Sequence, residues 1–195
     1  MSVARLLVLG AVRILQPVHG YDVRRELLSW HVDNWAHIAP GSIYNQLKVL
    51  HRDGMLEIVD QDRSEGRPAK TSYQLTNAGE IYFVRILHEA WWQVSDDPVM
   101  LTAAVSFMST MARDELIAAL ENRITQLDAL ARQLSFGANE VLAGRWADAP
   151  PHIAESFWLG QTRLTAEQQW ARSLRERLIA GEYTTAGEWQ PEALA

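Results

Sequence analysis

The stretch that decides the fold is PGSIYNQLKVLHRDGMLEIVDQDRSEGRPAKTSYQLTNAGE, residues 40–80. Pro40 suits the first turn of a helix, where its missing N–H costs nothing. Gly54 is typical of the left-handed residue that ends a helix. Residues 55–59 and 71–75 have the apolar alternation and the polar surroundings of two strands. The stretch therefore predicts a helix followed by a two-stranded β-ribbon.

Helical patterns lie on both sides of this stretch, because apolar residues recur there at three- and four-residue spacing. The predicted helices cover residues 2–16, 20–32, 40–53, 97–110, 112–136 and 151–180. A further helix is expected after the ribbon, with Thr76 as its N-cap. Residues 137–151 are predicted to interrupt the last two helices. On the second helix we expect one face to be buried, formed by Tyr21, Val23, Leu27 and Leu28.

The composition argues against several classes of protein. The chain has 195 residues and no cysteine, so it offers neither disulfides nor thiolate metal sites. No apolar run approaches the ~20 residues that span a bilayer, and we expect a cytoplasmic protein with no membrane partner. The chain has no nucleophile-elbow, phosphate-loop or zinc-protease motif, which argues against an enzyme. Its scattered histidines predict neither a metal site nor a cofactor.

Charge is distributed unevenly along the chain. The net charge is −6, which taken alone argues against a nucleic-acid partner. Residues 1–95 carry 10 Lys+Arg and 10 Asp+Glu, whereas residues 96–195 carry 8 and 14. The acidity therefore belongs to the second half, and the first half is free to present a local basic face.

The helix predicted at residues 40–53 separates two kinds of face. At ~100° per residue, Ile43, Leu47 and Leu50 point into the domain. The opposite face and its flanks carry side chains suited to DNA: Ser42, Tyr44, Asn45, Gln46, Lys48, Val49 and Arg52. Asn and Gln can pair bidentately with adenine, and the N-terminal half of a recognition helix is expected to contact bases. An ordinary solvated helix face is the alternative interpretation.

The loop of the ribbon, at residues 60–70, adds three cations, Arg63, Arg67 and Lys70. Gly66 bends the tip and Pro68 stiffens it. Such a wing could reach backbone phosphates or the adjacent minor groove. Its acidic residues dilute the positive charge, and a merely solvated hairpin tip is the alternative.

Several short motifs together carry a family resemblance over roughly residues 5–82. They are His19-Gly20-Tyr21, Pro40-Gly41-Ser42-Ile43-Tyr44, Leu47 to Leu50, Asp53-Gly54-Met55-Leu56, Gly66-Arg67-Pro68, and Tyr73-Gln74-Leu75-Thr76 with Gly79. With these motifs the sequence closely resembles the PadR family of winged-helix transcriptional regulators. The remaining helices resemble the longer members, which have a multi-helix, virulence-activator-like C-terminal domain. One departure is Ala39, a poor N-cap where members often carry a hydroxyl residue.

This resemblance implies a mainly α protein with two domains. Residues 1–95 would form a winged helix-turn-helix DNA-binding domain with a two-stranded β-wing. Residues 96–195 would form an α-helical dimerisation and effector domain, and the acidic capping sequence Ser95-Asp96-Asp97-Pro98 suits the boundary. The resemblance also implies a homodimer that binds double-stranded DNA at a pseudo-palindromic operator and most often represses.

The second half suggests both self-association and an effector. The apolar stripe of its long helices exceeds what about 100 residues can bury against themselves, which favours a symmetric homodimer over an isolated bundle. Eight tryptophans are unusual for this length. Aromatic walls can hold a small aromatic or phenolic effector, and the candidates are Trp91, Trp92, Phe157 and Trp158. Core packing is the alternative role for these rings.

A second class of function also fits the sequence. A winged helix that binds a partner protein, without specific DNA binding, would suit the acidic balance and the diluted wing. Salt-dependent binding to the upstream DNA would separate the two hypotheses, because phosphate contacts weaken steeply with salt.

Overall fold

A computed structural model describes residues 2–62, 70–95, 97–146 and 149–187. The elements in chain order are α1 (Val3–Leu15), β1 (Val18–His19), α2 (Gly20–Ser29), α3 (Val32–Trp35), α4 (Pro40–Arg52), β2 (Leu56–Asp62), β3 (Lys70–Leu75), α5 (Asn77–Trp92), α6 (Pro98–Val105), α7 (Arg113–Leu142) and α8 (Ala154–Ile179). Short 3₁₀ turns at Met108–Thr110 and Pro151–Ile153 precede α7 and α8. The predicted fold class, mainly α with a winged helix followed by a helical region, is confirmed.

The chain forms two compact units whose limits differ from the predicted boundary at residue 95. Unit 1 comprises Met1–Ala90 with Ser95–Phe107, and unit 2 comprises Trp91–Val94 with Met108–Ala195. Helix α6 therefore belongs to unit 1, because its end packs there. The Phe107 ring makes edge contacts with Trp30 and Phe83, at centroid distances of 5.8 and 5.5 Å.

Helix α1 forms the centre of unit 1. Its residues from Leu6 to Val12 are all buried, so the helix is apolar on every side and not along one stripe only. A helix of this kind must be surrounded by other elements. It packs against α2, α4, α6 and β3. Ile14, near the end of α1, is 47% exposed because it lies beyond this enclosed segment.

The sheet has three antiparallel strands in the order β1-β3-β2, where the sequence predicted two. The predicted ribbon is confirmed as an antiparallel pair, in which Leu56 pairs with Leu75 and Ile58 with Tyr73. The additional strand pairs Val18 with Tyr73. Two residues are too short for a strand pattern to be recognised in the sequence, and the pairing is visible only in the tertiary structure.

The second predicted helix, at residues 20–32, is divided in two. Helix α2 ends at Ser29, and His31, at φ 56°, has left-handed backbone before α3 begins. The predicted burial of Val23 and Leu27 is confirmed, whereas Tyr21 is 58% exposed. The ring of Tyr21 lies under the Arg25 guanidinium, 5.7 Å from its centroid, so it covers the helix surface and does not enter the core.

The connection from α4 through the ribbon to α5 is held by a few short contacts. Gly54 adopts φ +75°, as a left-handed helix end requires. The Thr76 hydroxyl donates to the Gly54 carbonyl at 2.7 Å and accepts from the Gly79 N–H at 3.0 Å, which confirms the predicted N-cap. The Thr76 N–H donates to the Met55 carbonyl at 3.1 Å. The first turn of α5 is thereby fixed against the end of α4.

Unit 2 consists largely of the antiparallel pair α7 and α8. The interruption predicted at residues 137–151 is wrong in its first part, since α7 continues through Gly137 to Leu142. Glycine is accommodated there because the Phe157 ring of α8 occupies the space of a side chain; a Cβ on Gly137 would lie 2.6 Å from it. Tertiary packing therefore outweighs the weak helix propensity of glycine.

The described part of the segment after α8, up to Gly187, is held through its backbone. Arg113 donates to the carbonyls of Leu178 and Tyr183, at 2.5 and 2.9 Å. The Ala186 N–H donates to the Met111 carbonyl at 2.9 Å, and Thr185 is 1% exposed.

Within the described ranges, no helix is both long enough and apolar enough to cross a membrane. The same residues contain no group of three or more His, Asp or Glu side chains arranged to hold a metal ion.

We predict that Gly79→Ala destabilises unit 1. A Cβ at residue 79 would lie 2.0 Å from the Met55 carbonyl oxygen, and a backbone atom cannot yield as a flexible side chain does. Overpacking of this kind costs about 1–3 kcal/mol, measured as a lower free energy of unfolding in chemical denaturation. Gly41→Ala is the control, since nothing lies within 4 Å of that position. Equal stability of the two variants would contradict the close approach.

Candidate nucleic-acid interface

Helix α4 presents the two faces that its sequence predicts. Ile43, Leu47 and Leu50 are at most 1% exposed and anchor the helix in unit 1. Four of the predicted contact residues are exposed on the other side: Ser42, Asn45, Lys48 and Arg52. The helix has no side-chain N-cap at Ala39, and the Ser42 N–H bonds back to the Ala39 carbonyl at 2.9 Å. Its first turns therefore combine a hydroxyl, an amide and a cation on one accessible surface.

The flanking residues of α4 are only partly accessible. Gln46 and Val49 are half-buried, and the Gln46 Oε1 is enclosed without a hydrogen-bond partner. Tyr44 is 39% exposed. Since bidentate pairing with adenine needs both atoms of an amide, Asn45 is the better placed of the two amides to read a base in this conformation.

The C-terminal end of α4 carries compensated charge. Asp53 accepts from Arg52 Nη2 at 3.0 Å and from Arg5 Nη2 of α1 at 2.8 Å. These hydrogen bonds, led by that from Arg52, hold the pKa of the Asp53 carboxyl below its ordinary value. Arg5, Arg52 and Asp53 together keep a net charge of +1, and Lys48 adds a second exposed cation on this face.

The wing extends from β2 and β3. Strand pairing reaches Asp62 opposite Lys70, so the two strands lead directly to the predicted basic loop. Arg63 and Arg67 lie outside the described residues, and for Lys70 only the backbone is described. These three predicted contacts stay predictions.

The start of α2 adds accessible groups that the sequence interpretation did not include. Gly20 lies against α4, where an added Cβ would be 3.2 Å from Leu47 and 3.5 Å from Tyr44. Tyr21 follows Gly20 directly, Arg25 lies one turn further along α2, and both side chains are exposed. Arg25 also forms an ion pair with Asp22 at 2.7 Å. The four-residue spacing of Tyr21 and Arg25 places both side chains on one face of the predicted helix, and this spacing could have identified the pair in the sequence. The apolar pattern of the helix instead predicted a buried tyrosine.

One polar contact stabilises this corner from the sheet side. Ser72, 7% exposed on β3, lies 2.9 Å from Nδ1 of His19, the residue before α2. Burial raises the pKa of the neighbouring Tyr73 phenol above its ordinary value. The β1–β3 pairing and this contact together fix the start of α2 beside α4.

The four aromatic residues predicted for an effector do not come together. Trp91 is fully buried and stacks on Trp170 of α8, with 6.4 Å between ring centroids. Phe157 packs against Trp146 at 5.3 Å, with Trp158 beside it in sequence and 39% exposed. At ~1.5 Å per residue, Trp170 and Phe157 are roughly 20 Å apart along α8. Trp91 and Trp92 therefore belong to one end of unit 2, and Phe157 and Trp158 to the other.

Comparison with known proteins places the first part of the chain. The sequence model of the transcriptional regulator PadR-like family matches residues 8–85. A search of curated proteins found no significant match.

Three solved structures are similar over most of their length. Bacillus subtilis PadR in complex with operator DNA is 17% identical, with a TM-score of 0.34, and the match covers 89% of this chain and 98% of that one. The same protein in complex with p-coumaric acid is 19% identical, with a TM-score of 0.34 and coverage of 91% and 99%. The protein smu.1604c from Streptococcus mutans UA159 is 19% identical, with a TM-score of 0.40 and coverage of 89% and 98%.

The matched residues include α2, α4, both wing strands and the start of α5, the elements that build the exposed face described above. Similarity to the transcriptional regulator PadR-like family is therefore shown for residues 8–85, the part of the chain that carries this face.

Proposed function

We propose that this protein is a sequence-specific, double-stranded-DNA-binding repressor. It acts as a homodimer on a pseudo-palindromic operator, and a small aromatic effector releases it. The observation that carries the proposal is the exposed polar face of α4, where Ser42, Asn45 and Lys48 stand opposite a fully buried anchor. A helix held in this way can enter a major groove without disturbing its own packing.

The proposed contacts divide into two kinds. Asn45 reads bases from the N-terminal half of α4, while Ser42, Tyr44 and Lys48 contact the backbone or base edges beside it. The wing cations Arg63, Arg67 and Lys70 neutralise phosphates. Tyr21, exposed at the start of α2, is an additional phosphate contact in this proposal.

We predict that Asn45→Ala and Arg67→Ala weaken DNA binding in different ways. The first removes a base contact, so it should cost about 1–3 kcal/mol at the operator and relax the preference at one base pair. The second removes a phosphate contact, so it should weaken all sequences alike and reduce the salt slope by about 1. Gel shifts with the upstream DNA at several salt concentrations measure both effects.

Glu57→Gln provides a control, because this exposed residue of β2 already bonds to Gln74 at 2.5 Å and is not assigned to the DNA surface. If the wild-type protein fails to bind the upstream DNA even at low salt, the DNA-binding proposal is wrong. A winged helix that binds a partner protein would then be the better explanation of the exposed α4 face.

The homodimer proposal rests on the apolar surface of α7 and α8. Phe136 is 65% exposed on α7, and Leu159 is 55% exposed on α8. Phe136 lies on the side of α7 opposite the residues that face α8, such as Leu127 and Leu134, at ~100° per residue. Large apolar side chains left exposed on both helices favour coverage by a partner, and a second copy would cover them symmetrically.

We predict that Phe136→Lys combined with Leu159→Lys yields monomers. Charged side chains cannot be buried without partners, so the apolar contact between copies should be lost. Light scattering coupled to gel filtration measures the mass. Val84→Lys is the control, an equally exposed apolar residue on α5 of unit 1. A double variant that stays dimeric would place the self-association surface elsewhere.

Because the four aromatic residues lie at two different ends of unit 2, the effector proposal considers one possible site at each end. Trp158 is accessible to a planar ligand, whereas Trp91 is fully buried against Trp170. A phenolic acid could stack on Trp158 beside Phe157, or it could enter near Trp92 after a local rearrangement. The accessible ring makes the first of these the simpler site.

We expect p-coumaric acid to quench tryptophan fluorescence saturably and to release the operator in the same concentration range. Trp158→Phe should remove most of the quenching if the ligand stacks at the accessible end. Trp92→Phe tests the other end with the same aromatic replacement. Quenching without saturation would show that the acid is not a specific effector.

A further inference from the structure

A buried arginine forms hydrogen bonds to backbone carbonyls at the end of α5, within unit 2. Arg123 of α7 is 2% exposed, and its Nε donates to Glu167 Oε1 of α8 at 2.6 Å. Its Nη1 donates to the Gln93 carbonyl at 2.8 Å and to the Trp91 carbonyl at 3.3 Å. One guanidinium therefore joins α7, α8 and the last residues of α5.

Two amides on α7 complete this arrangement. Asn122 Nδ2 and Gln126 Nε2 both donate to the Trp92 carbonyl, at 2.9 and 3.0 Å. The Gln126 Oε1 in turn accepts from the Val94 N–H at 3.4 Å. We call Asn122, Arg123, Gln126 and Glu167 the α5 latch.

The α5 latch provides hydrogen-bond donors for the backbone carbonyls at the end of α5. The last four carbonyls of an α-helix have no partner inside the helix, and they are usually satisfied by a glycine-based turn or by water. Helix α5 ends at Trp92, and the residues that follow, Gln93 and Val94, include no glycine. Side chains from α7 satisfy the carbonyls instead, and the hydrogen bonds from the buried cation are charge-assisted.

The α5 latch lies where the chain passes from unit 1 into unit 2. Helix α5 begins beside the wing in unit 1 and ends in unit 2, so it is a covalent connection between the DNA-binding helices and the α7–α8 pair. A connection that holds the two DNA-binding units of a dimer at the spacing of the half-sites raises the effective concentration of the second unit once the first is bound, whereas a loose connection lowers it.

We propose that Arg123 is a positioning residue for operator binding. Through the latch it keeps the last turn of α5 helical, and it thereby lets both DNA-binding units of a dimer engage their half-sites together. This inference rests on the proposed function. According to this inference, the α5 latch is the reason why the dimer binds an operator with two half-sites more tightly than it binds a single half-site.

The test compares Arg123→Met with Arg175→Met in the full-length chain. Arg175 also joins α8 to α7, through hydrogen bonds of 2.8 and 2.6 Å to Glu121, but it does not bond to α5. The two variants therefore lose the same chemical group from the same helix pair. The probes are a duplex with both half-sites, defined by footprinting the upstream DNA, and the same duplex cut to one half-site.

We expect Arg123→Met to weaken binding to the two-half-site duplex about tenfold or more, while affinity for one half-site changes less than about twofold. Arg175→Met should change neither, and both variants should keep the dimer mass in light scattering. Amide hydrogen exchange of residues 88–94 should become faster in Arg123→Met alone. A merely structural role would not separate the two duplexes in this way.

If Arg123→Met does not fold, the double variant Asn122→Ala with Gln126→Ala replaces it in the test. This variant removes neutral hydrogen bonds and leaves the ion pair between Arg123 and Glu167. The inference is overturned if the latch variants bind the two-half-site duplex as tightly as the wild type. It is also overturned if Arg175→Met loses as much. A wild-type protein that does not prefer two half-sites contradicts the proposed dimeric repressor itself, and unchanged exchange at residues 88–94 contradicts the latch independently.

Discussion

The enclosure of α1 is the constraint on which unit 1 depends. Its residues from Leu6 to Val12 are buried on all sides, so α2, α4, α6 and β3 must surround it. Burial of each large aliphatic side chain contributes about 1.5–3 kcal/mol. Because Ile43, Leu47 and Leu50 are committed to this core, the other side of α4 is left in solvent. The accessible polar face is thus a consequence of how the core is filled.

The net charge of the chain opposes association with DNA in the proposed function. The chain has a net charge of −6, and Arg52 at the end of α4 shares the Asp53 carboxylate with Arg5. In the proposed function, affinity must therefore come from correctly placed contacts and from two linked half-sites. A diffuse positive field would serve non-specific binding better. This dependence on linkage is what gives the connection through α5 its importance.

Much of the candidate site could be predicted because it depends on local patterns. Pro40, Gly54 and Thr76 mark helix ends through their own backbone chemistry, and the structure confirms all three. The two strands of the ribbon could be predicted from their alternating apolar residues. The errors arose where the outcome depends on distant residues. Tyr21 fits an apolar stripe but is covered only by Arg25, and Gly137 signals a break that the Phe157 ring removes.

The amino-acid sequence by itself determined the winged-helix order of elements and the exposed face of α4, because periodicity and end signals act within a few residues. Tertiary structure alone decided the third strand, the assignment of α6 to unit 1, and the burial of Arg123 against Glu167 and the end of α5. An arginine in a helical pattern normally indicates solvent, since a buried charge needs partners. Those partners are carbonyls and a carboxylate about 30 and 44 residues away in the chain, and only the folded structure brings them together.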